Sequence, residues 1–417
     1  MKKLAWALAL CAAAGLATGQ DLKERALRLH RSAIVVDTHE DVPERLEKAR
    51  VDIGVRSATG HTDIPRWREG GMTAPFLAAY VNADYAKAGG STKKALELID
   101  LIHGLVETHP ADLAFADSVA GIREAKKNGK IAVLIGIEGG HAIEDSLGAL
   151  SSFYRLGARY MTLTHTNTNA WADSSGSFWA VDFDPKKYVV HHGLTDFGKQ
   201  VVLEMNRLGM LVDVSHVSED TVRDVLEVSK APVFASHSSC RALSDIPRNL
   251  RDEQIQAIAA KGGVVMVNVS SQFLEQKAVD AYQAAKKALM PKIAAVREQY
   301  KDDPKKRDAE IGKLLDTIKL PRANWTLVAD HIERVMKIGG PHAVGLGTDF
   351  DGMEDPPTGL EDVAKLPQLT EELLRRGHSD EEVRGVLGEN FLAFWDRVEA
   401  AKKAMTARTE PMAFSKP

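Results

Sequence analysis

Histidines and carboxylates recur in this 417-residue sequence directly after short apolar runs. The run IAVLIGI, for example, is followed by Glu138. If the runs are parallel strands of one barrel, the side chains at their carboxyl ends converge on one face, which is where such barrels carry chemistry. The residues in these positions are His39 and Asp41 after the first run, Glu138 after the third, His165, His216 and His237 after the fourth to sixth, and Asp349 after the eighth.

Taken singly, each of these residues has an ordinary explanation. Asp349 is compatible with a turn cap, and His237 in Ser-His-Ser is compatible with a hydrogen-bonded loop histidine. Glu138 is different, because a carboxylate that emerges from a buried strand needs a cation or a hydrogen-bond donor. A shared position at the ends of consecutive strands favours a functional site over independent coincidences.

Imidazoles and carboxylates in this number are typical of a zinc site. They exceed what one tetrahedral ion uses, so we expect two Zn²⁺ per chain, with Glu138 as the bridging carboxylate. The sequence shows neither a nucleophile-elbow serine nor a catalytic cysteine. The expected nucleophile is therefore a metal-bound water or hydroxide.

Eight short runs, rich in β-branched residues, must position these side chains. They are near-continuously apolar, as strands of a parallel sheet with two buried faces are. The predicted strands cover residues 33–37, 74–80, 132–137, 159–164, 210–215, 233–236, 263–268 and 343–348.

Amphipathic helical patterns separate the predicted strands. They cover residues 95–108, 114–128, 144–156, 193–208, 217–230, 252–261 and 326–339. This alternation predicts an α/β fold, a (β/α)8 barrel of the TIM type, over residues 20–403. Residues 271–322 interrupt it with a charged helical insertion after the seventh strand, which we interpret as a hairpin on the rim. A lid and a subunit contact in a homodimer are both open roles for it, and residues 404–417 are expected to form a frayed tail.

The first 19 residues have the features of a cleavable signal peptide. Lys2 and Lys3 precede an apolar stretch, which ends in the small-residue sequence Ala17-Thr18-Gly19. We therefore expect a secreted or periplasmic protein. Lipoprotein anchoring through Cys11 is disfavoured, because the bulky Leu10 precedes it.

The mature chain is expected to lack a transmembrane segment, since no later stretch is apolar for long enough. It would retain one cysteine, Cys240, which we interpret as a small buried hydrophobe. A formal net charge of -4 without a long basic run argues against nucleic acid as a partner.

The motifs around the candidate residues resemble those of the membrane (renal) dipeptidase family of the amidohydrolase superfamily. The segments that carry the resemblance are, in order, DTHEDVPERL, LIGIEGGHAIEDSLGAL, YMTLTHTNTNAWADS, LVDVSHVS, PVFASHSSCRAL, PRN and VGLGTDFDGM. They span about residues 23–400, apart from the insertion. His39-x-Asp41 in place of His-x-His, and Glu138 in place of a carbamylated lysine, are typical of the dipeptidase branch.

The resemblance implies a role for each residue of the metal centre. His39 and Asp41 would hold one zinc ion, His216 and His237 would hold the other, and Glu138 would bridge them.

It also implies roles in substrate binding and catalysis. His165 would contact the scissile carbonyl and stabilise the oxyanion, and Arg248 would bind the free C-terminal carboxylate, with Arg251 as a rival. Asp349 would be the general acid and base, and Tyr80 would line the substrate pocket, although Tyr80 suits core packing equally well. Asn169 and Trp171 would shape the pocket wall, although Trp171 also suits plain packing.

The resulting prediction is a zinc metallo-dipeptidase that hydrolyses dipeptides with a free C-terminal carboxylate. One alternative is a zinc amidohydrolase that acts on N-acyl amino acids or β-lactams. A non-catalytic barrel that only binds a ligand is a further alternative.

Overall fold

The computed structural model describes residues 20–49 and 51–406 and contains nine β-strands in that part of the chain. They are β1 (Val36–Glu40), β2 (Ala74–Tyr80), β3 (Leu113–Phe115), β4 (Ile131–Glu138), β5 (Ala158–Thr162), β6 (Leu211–Asp213), β7 (Phe234–Ala235), β8 (Val264–Val267) and β9 (Val344–Leu346). All except β3 follow one another in the order β1-β2-β4-β5-β6-β7-β8-β9, and every pairing is parallel. The predicted (β/α)8 architecture is confirmed.

The ring closes between the last and the first strand, at their carboxyl ends. The Asp349 amide donates to the His39 carbonyl at 3.0 Å, and the Asp41 amide donates to the Phe350 carbonyl at 2.8 Å. Closure of the barrel therefore fixes the backbone of three of the predicted site residues.

The short strand β3 lies outside the ring and was not predicted. β4 begins three residues before its pairing with β2, which starts at Leu134, so Ile131 to Val133 are free to pair with β3. The helix predicted over 114–128 is wrong at its start, because Leu113–Phe115 takes this free strand edge. The helix begins at Val119 instead, after the Ser118 hydroxyl caps the Gly121 amide.

Helices surround the barrel and connect its strands. They are α1 (20–32), α2 (Val42–Ala49), α3 (Ile64–Glu69), α4 (Ala83–Ala88), α5 (Ser91–Thr108), α6 (Val119–Lys127), α7 (Leu147–Arg155), α8 (Asp196–Leu208), α9 (Glu219–Val228), α10 (Asp252–Ala260), α11 (Ser271–Leu274), α12 (Gln276–Gln299), α13 (Pro304–Leu315), α14 (Leu327–Gly339), α15 (Pro367–Arg375), α16 (Asp380–Arg384) and α17 (Asn390–Thr406). Helices α7, α8 and α9 are each preceded by a capping residue whose hydroxyl accepts a hydrogen bond from a backbone amide of the first turn, namely Ser146, Thr195 and Ser218.

Tyr160 fills the barrel interior below the carboxyl ends of the strands. Its ring faces Gly136 on β4, where a Cβ atom would lie 2.0 Å from the ring and would clash with it. Phe76 and Phe234 pack around it, with ring centroids 5.4 Å and 5.6 Å away. The glycine thus makes room for a ring whose hydroxyl points toward the strand ends.

The predicted helical insertion after the seventh barrel strand consists of α11, α12 and α13. It rests on the segment that follows β5, because the Tyr282 hydroxyl donates to the Trp179 carbonyl at 2.7 Å and the Lys286 ammonium donates to the Ala180 carbonyl at 3.0 Å. The insertion therefore stands at the same end of the barrel as the predicted site.

Among the described residues, no helix is both long and apolar enough to cross a membrane. Helix α17 continues to Thr406, so the predicted tail begins with helical residues. The predicted signal peptide, with Cys11, and residues 407–417 lie outside the described residues.

Candidate active site

Glu138 lies at the centre of a cluster of histidines at the carboxyl end of the barrel. Its Oε1 atom lies 3.1 Å from His216 Nε2, 3.4 Å from His237 Nε2 and 3.6 Å from His39 Nε2. His165 Nε2 is 4.0 Å from the same oxygen. One carboxylate thus faces four imidazoles from four different strand ends.

Asp41 and Asp349 extend the cluster on the side of His39. The His39 Nε2 and Asp41 Oδ2 atoms are 3.4 Å apart. Each of three groups offers ligand atoms within 4.8 Å of one another: His39 with Asp41 and Asp349, His39 with Glu138 and His237, and Glu138 with His165 and His216. Because the groups share His39 and Glu138, they form adjoining ligand sets rather than separate sites.

The geometry of these atoms fits zinc. Two ligands of one tetrahedral zinc ion lie roughly 3.3 Å apart, given zinc–ligand bonds of about 2 Å. The separations from Glu138 Oε1 to the three nearest Nε2 atoms agree with this value. His39 Nε2 is buried and has no hydrogen-bond partner among the described residues, as a nitrogen reserved for a ligand would.

The pKa values of the groups in the cluster also favour the binding of cations. Burial, together with the negative charge of Asp41, raises the pKa of Asp349 to about 8. Burial lowers the pKa of His216 and His237 well below the ordinary range and that of His165 to about 4. In spite of burial, neighbouring groups that include Glu138 and Asp41 raise the pKa of His39 well above the ordinary range, so a positive charge is favoured at that position. Three neutral imidazoles beside crowded carboxylates belong to the donor set that a divalent metal ion binds.

Hydrogen bonds behind the cluster orient two of its imidazoles. Ser236 Oγ donates to Asp213 Oδ2 at 2.6 Å and lies 2.7 Å from His237 Nδ1. Since the one hydroxyl proton is given to Asp213, His237 Nδ1 must donate to the serine, and its Nε2 lone pair faces Glu138. The Tyr160 hydroxyl lies within hydrogen-bonding distance of His39 Nδ1, at 2.8 Å.

Arg248 is a buried cation beside this cluster. Its side chain, in a residue only 2% exposed, donates to the His237 carbonyl at 3.1 Å and to Ser238 Oγ at 3.2 Å, and it stacks over Phe273 at 5.2 Å. Burial lowers its pKa to about 10. No carboxylate in the described part of the chain forms an ion pair with it. An anionic ligand would supply the missing countercharge.

A cavity of about 290 Å³ joins Arg248 to the cluster. Its lining residues are Asp41, Glu44, Tyr80, Glu138, His165, Thr166, Trp179, His216, Arg248, Phe273, Asp349 and Gly352. Tyr80 is one of these lining residues, with its ring centroid 4.6 Å from that of His165. The rival Arg251 lies elsewhere, on the surface, where it pairs with Glu219 at 2.8 Å.

A family model described as membrane dipeptidase (peptidase family M19) matches residues 23–409. The chain belongs to the membrane dipeptidase family. The resemblance seen in the motifs is thereby confirmed, and the protein is a dipeptidase, a hydrolase.

Solved structures of similar proteins share the fold of this dipeptidase. The probable dipeptidase PvdM from Pseudomonas aeruginosa has a TM-score of 0.80 and 25% identity, over 92% of this chain and 99% of that chain. An amidohydrolase from the same organism has a TM-score of 0.67 and 26% identity, over 89% and 98%. A metallo peptidase from Rhodobacter sphaeroides, bound to a phosphinate mimic of the dipeptide L-Ala-D-Ala, has a TM-score of 0.70 and 24% identity, over 88% and 100%.

Two candidate site residues of the dipeptidase have a backbone conformation that the sequence did not predict. His216 and Asp349 both have φ of 66°, in the left-handed region that is uncommon for residues other than glycine. The conformation turns the chain sharply where each strand ends. The Thr164 hydroxyl, which donates to the His216 carbonyl at 3.0 Å, helps to hold the first of these turns.

Sequence reasoning also missed the partner of Asp349. Asn268, directly after β8, donates its amide to Asp349 Oδ2 at 2.8 Å. Its position after an apolar run is the same signal that identified the histidines. Asp351, two residues after Asp349, is instead held by Arg45 at 2.8 Å and by the His61 amide at 2.6 Å.

Three other residues of the dipeptidase have structural contacts away from this cavity. Asn169 Oδ1 accepts the amides of Trp171 and Ala172 at 3.0 Å and 2.9 Å, and Trp171 is fully buried. Neither Asn169 nor Trp171 lines the cavity that contains Arg248. Cys240 is buried as predicted, and burial raises its pKa to about 12.

Proposed function

We propose that this dipeptidase binds two zinc ions and hydrolyses dipeptides that carry a free C-terminal carboxylate. One observation carries the proposal: the buried, unpaired Arg248 guanidinium shares a small cavity with the cluster around Glu138. The similar Rhodobacter sphaeroides enzyme, crystallised with a mimic of a dipeptide, supports a substrate of this size.

Five residues would hold the metal ions. His39 and Asp41 would bind one ion, and His216 and His237 would bind the other. Glu138 would bind both ions, because its Oε1 atom lies 3.1 to 3.6 Å from the Nε2 atoms of all three histidines. Bound zinc would supply Lewis acidity and a lowered pKa for water.

Three residues would act on the substrate itself. Arg248 would bind the terminal carboxylate through charge-assisted hydrogen bonds. His165, on the same cavity wall, would donate from Nε2 to the scissile carbonyl oxygen, because the Thr166 hydroxyl, 3.2 Å from Nδ1, can occupy the other ring nitrogen. Tyr80 would pack beside His165 and limit the width of the cavity.

Asp349 would transfer the proton between water and the leaving amine. Asn268 occupies its Oδ2 atom, so Oδ1 is the oxygen that remains for this task. A Cβ at Gly352 would lie 2.7 Å from that Oδ1 atom, so glycine at this position leaves the carboxylate accessible.

A substrate panel on the metal-loaded protein tests this proposal. We expect hydrolysis of Ala-Ala, loss of activity when its carboxylate is amidated, and about two zinc ions per chain. Faster turnover of N-acetylalanine or of a β-lactam than of Ala-Ala would favour the alternative hypothesis of a zinc amidohydrolase. Arg248 would bind the carboxylates of these compounds equally well. No hydrolysis of any of these compounds by the zinc-loaded protein would overturn the proposal.

We also propose that residues 1–19 are a signal peptide and that the mature enzyme is secreted or periplasmic. The charged and apolar order of the first residues supports this. N-terminal sequencing of the exported protein is expected to begin near residue 20, and an intact N-terminus would contradict export by cleavage. A homodimer stays a prediction, which the mass of the protein in solution would test.

A further inference from the structure

A second cavity adjoins the one that contains the metal-ligand cluster. It measures about 340 Å³ and opens beside the reacting end of the first cavity. Four residues line both spaces: Trp179, Phe273, Asp349 and Gly352. The two cavities are therefore compartments of one cleft, and Asp349 stands where they meet.

The helical insertion builds the outer wall of this second cavity. Tyr282 comes from α12, Leu315 ends α13, and Ile318 and Leu320 lie in the segment after α13. Leu315, Ile318 and Leu320 are only half-buried and face the cavity with apolar side chains. Exposed apolar surface inside a cleft favours an apolar ligand group.

Contacts hold this wall in place relative to the barrel. Phe178, Phe273 and Val279 form one buried apolar cluster between the insertion and the barrel loops. Arg297 of α12 forms an ion pair with Asp182 in the segment after β5. The wall is thus tied to the loop that contains Trp179, which packs against this cluster and borders the first cavity.

The position of Arg248 indicates which part of a bound dipeptide would enter the second cavity. In the proposed function, the C-terminal residue touches Arg248 with its carboxylate and Asp349 with its amine. Arg248 stacks over Phe273, and both Phe273 and Asp349 also line the second cavity. The side chain of the C-terminal residue is attached to the carbon atom between its amine and its carboxylate. It would therefore lie next to Phe273 and Asp349, which line both cavities.

We propose that the second cavity is the subsite for the side chain of the C-terminal residue, and that the insertion selects dipeptides in which this residue is large and apolar or aromatic. This inference rests on the proposed function. The exposed carboxylates of Asp316 and Glu354 at the cavity would repel an acidic side chain.

Kinetics of Ala-Phe, Phe-Ala and Ala-Ala, each as L,L and L,D isomers, test the subsite. The wild-type enzyme is expected to have its highest kcat/KM for Ala-Phe. Ile318→Ala should lower kcat/KM for Ala-Phe on the order of tenfold, as loss of apolar contact in a specificity pocket does, while Ala-Ala changes little. Ile318→Trp, which fills the cavity, should also penalise Ala-Phe and spare Ala-Ala.

Leu314→Ala is the matched control, because Leu314 neighbours Leu315 on α13 and does not line the cavity. It should leave the ratio of Ala-Phe to Ala-Ala unchanged. The subsite is overturned if the Ile318 variants keep the wild-type ratio, if Leu314→Ala shifts it equally, or if Phe-Ala responds instead of Ala-Phe. Failure of the wild-type enzyme on all three dipeptides would overturn the proposed function itself, which separates the two outcomes.

Discussion

The Tyr160 hydroxyl lies 2.8 Å from His39 Nδ1 and joins the packed barrel interior to the candidate metal centre. Tyr160 is fully buried, and aromatic rings hold it from below. The position of His39 Nε2 therefore depends on a residue that is no metal ligand.

Tyr160→Phe tests this relationship. The variant keeps the ring and its packing and removes the hydrogen bond, so we expect metal affinity to fall roughly tenfold to a hundredfold. The free energy of unfolding should change by only about 1 kcal/mol. Zinc retained during titration with a chelator, measured beside thermal unfolding, gives both values.

Tyr85→Phe is the control for this variant, because Tyr85 is exposed and does not line the cavity that contains the cluster. Unchanged zinc retention in Tyr160→Phe would show that the hydroxyl does not orient the ligand.

Glu138→Gln should reduce the zinc content from about two ions per chain. The amide keeps the size of the side chain but loses the charge that faces three imidazole Nε2 atoms. Elemental analysis of wild type and variant, purified identically, measures the change. Two tightly held ions in the variant would contradict a bridging role.

Much of the candidate metal centre can be predicted from the positions of its residues along the chain. Glu138 stands at the end of a buried apolar run, and His216 and His237 follow two further runs. Because parallel strands of a barrel bring their carboxyl ends to one face, order along the chain becomes proximity in space. Asn268 obeys the same rule, yet an amide after a strand is too common in loops to single out.

Other features depend on tertiary packing, which no local pattern encodes. Strand β3 has three residues and exists because β4 extends beyond its pairing with β2. Trp179 and Phe273 border the cavity only because the insertion packs against the segment after β5. The left-handed backbone of His216 and Asp349 is equally invisible in the sequence, since neither residue is glycine.

Arg248→Ala should raise KM for dipeptides roughly tenfold to a hundredfold, because a hydrogen bond to a charged group contributes about 1.5–3 kcal/mol. A C-terminally amidated dipeptide should be equally poor with wild type and variant. Steady-state kinetics on both substrates provide the comparison.

Arg251→Ala is the matched control, since Arg251 is a nearby surface arginine paired with Glu219. Its KM should stay at the wild-type value. If amidation leaves wild-type activity unchanged, recognition of the carboxylate by Arg248 is wrong.

Asp349→Asn should abolish most activity while leaving the metal centre intact. Asn has nearly the same shape as Asp and can stay beside Asn268, but it cannot take a proton from water or return one to the leaving amine. General acid–base catalysis contributes about 10²–10⁴-fold, so we expect kcat to fall at least about a hundredfold. Dipeptide Kd should change little, because Arg248 still binds the carboxylate.

Asp351→Asn separates this effect from disturbance of the turn after β9. Asp351 is held by Arg45 and by the His61 amide. Asp351→Asn should therefore lower the melting temperature and leave kcat close to the wild-type value. The measurements are kcat, dipeptide Kd, zinc content and thermal unfolding on the same preparations. A near-native kcat in Asp349→Asn would remove Asp349 from the chemistry, whereas loss of zinc would make it a metal ligand, as its closeness to His39 and Asp41 allows.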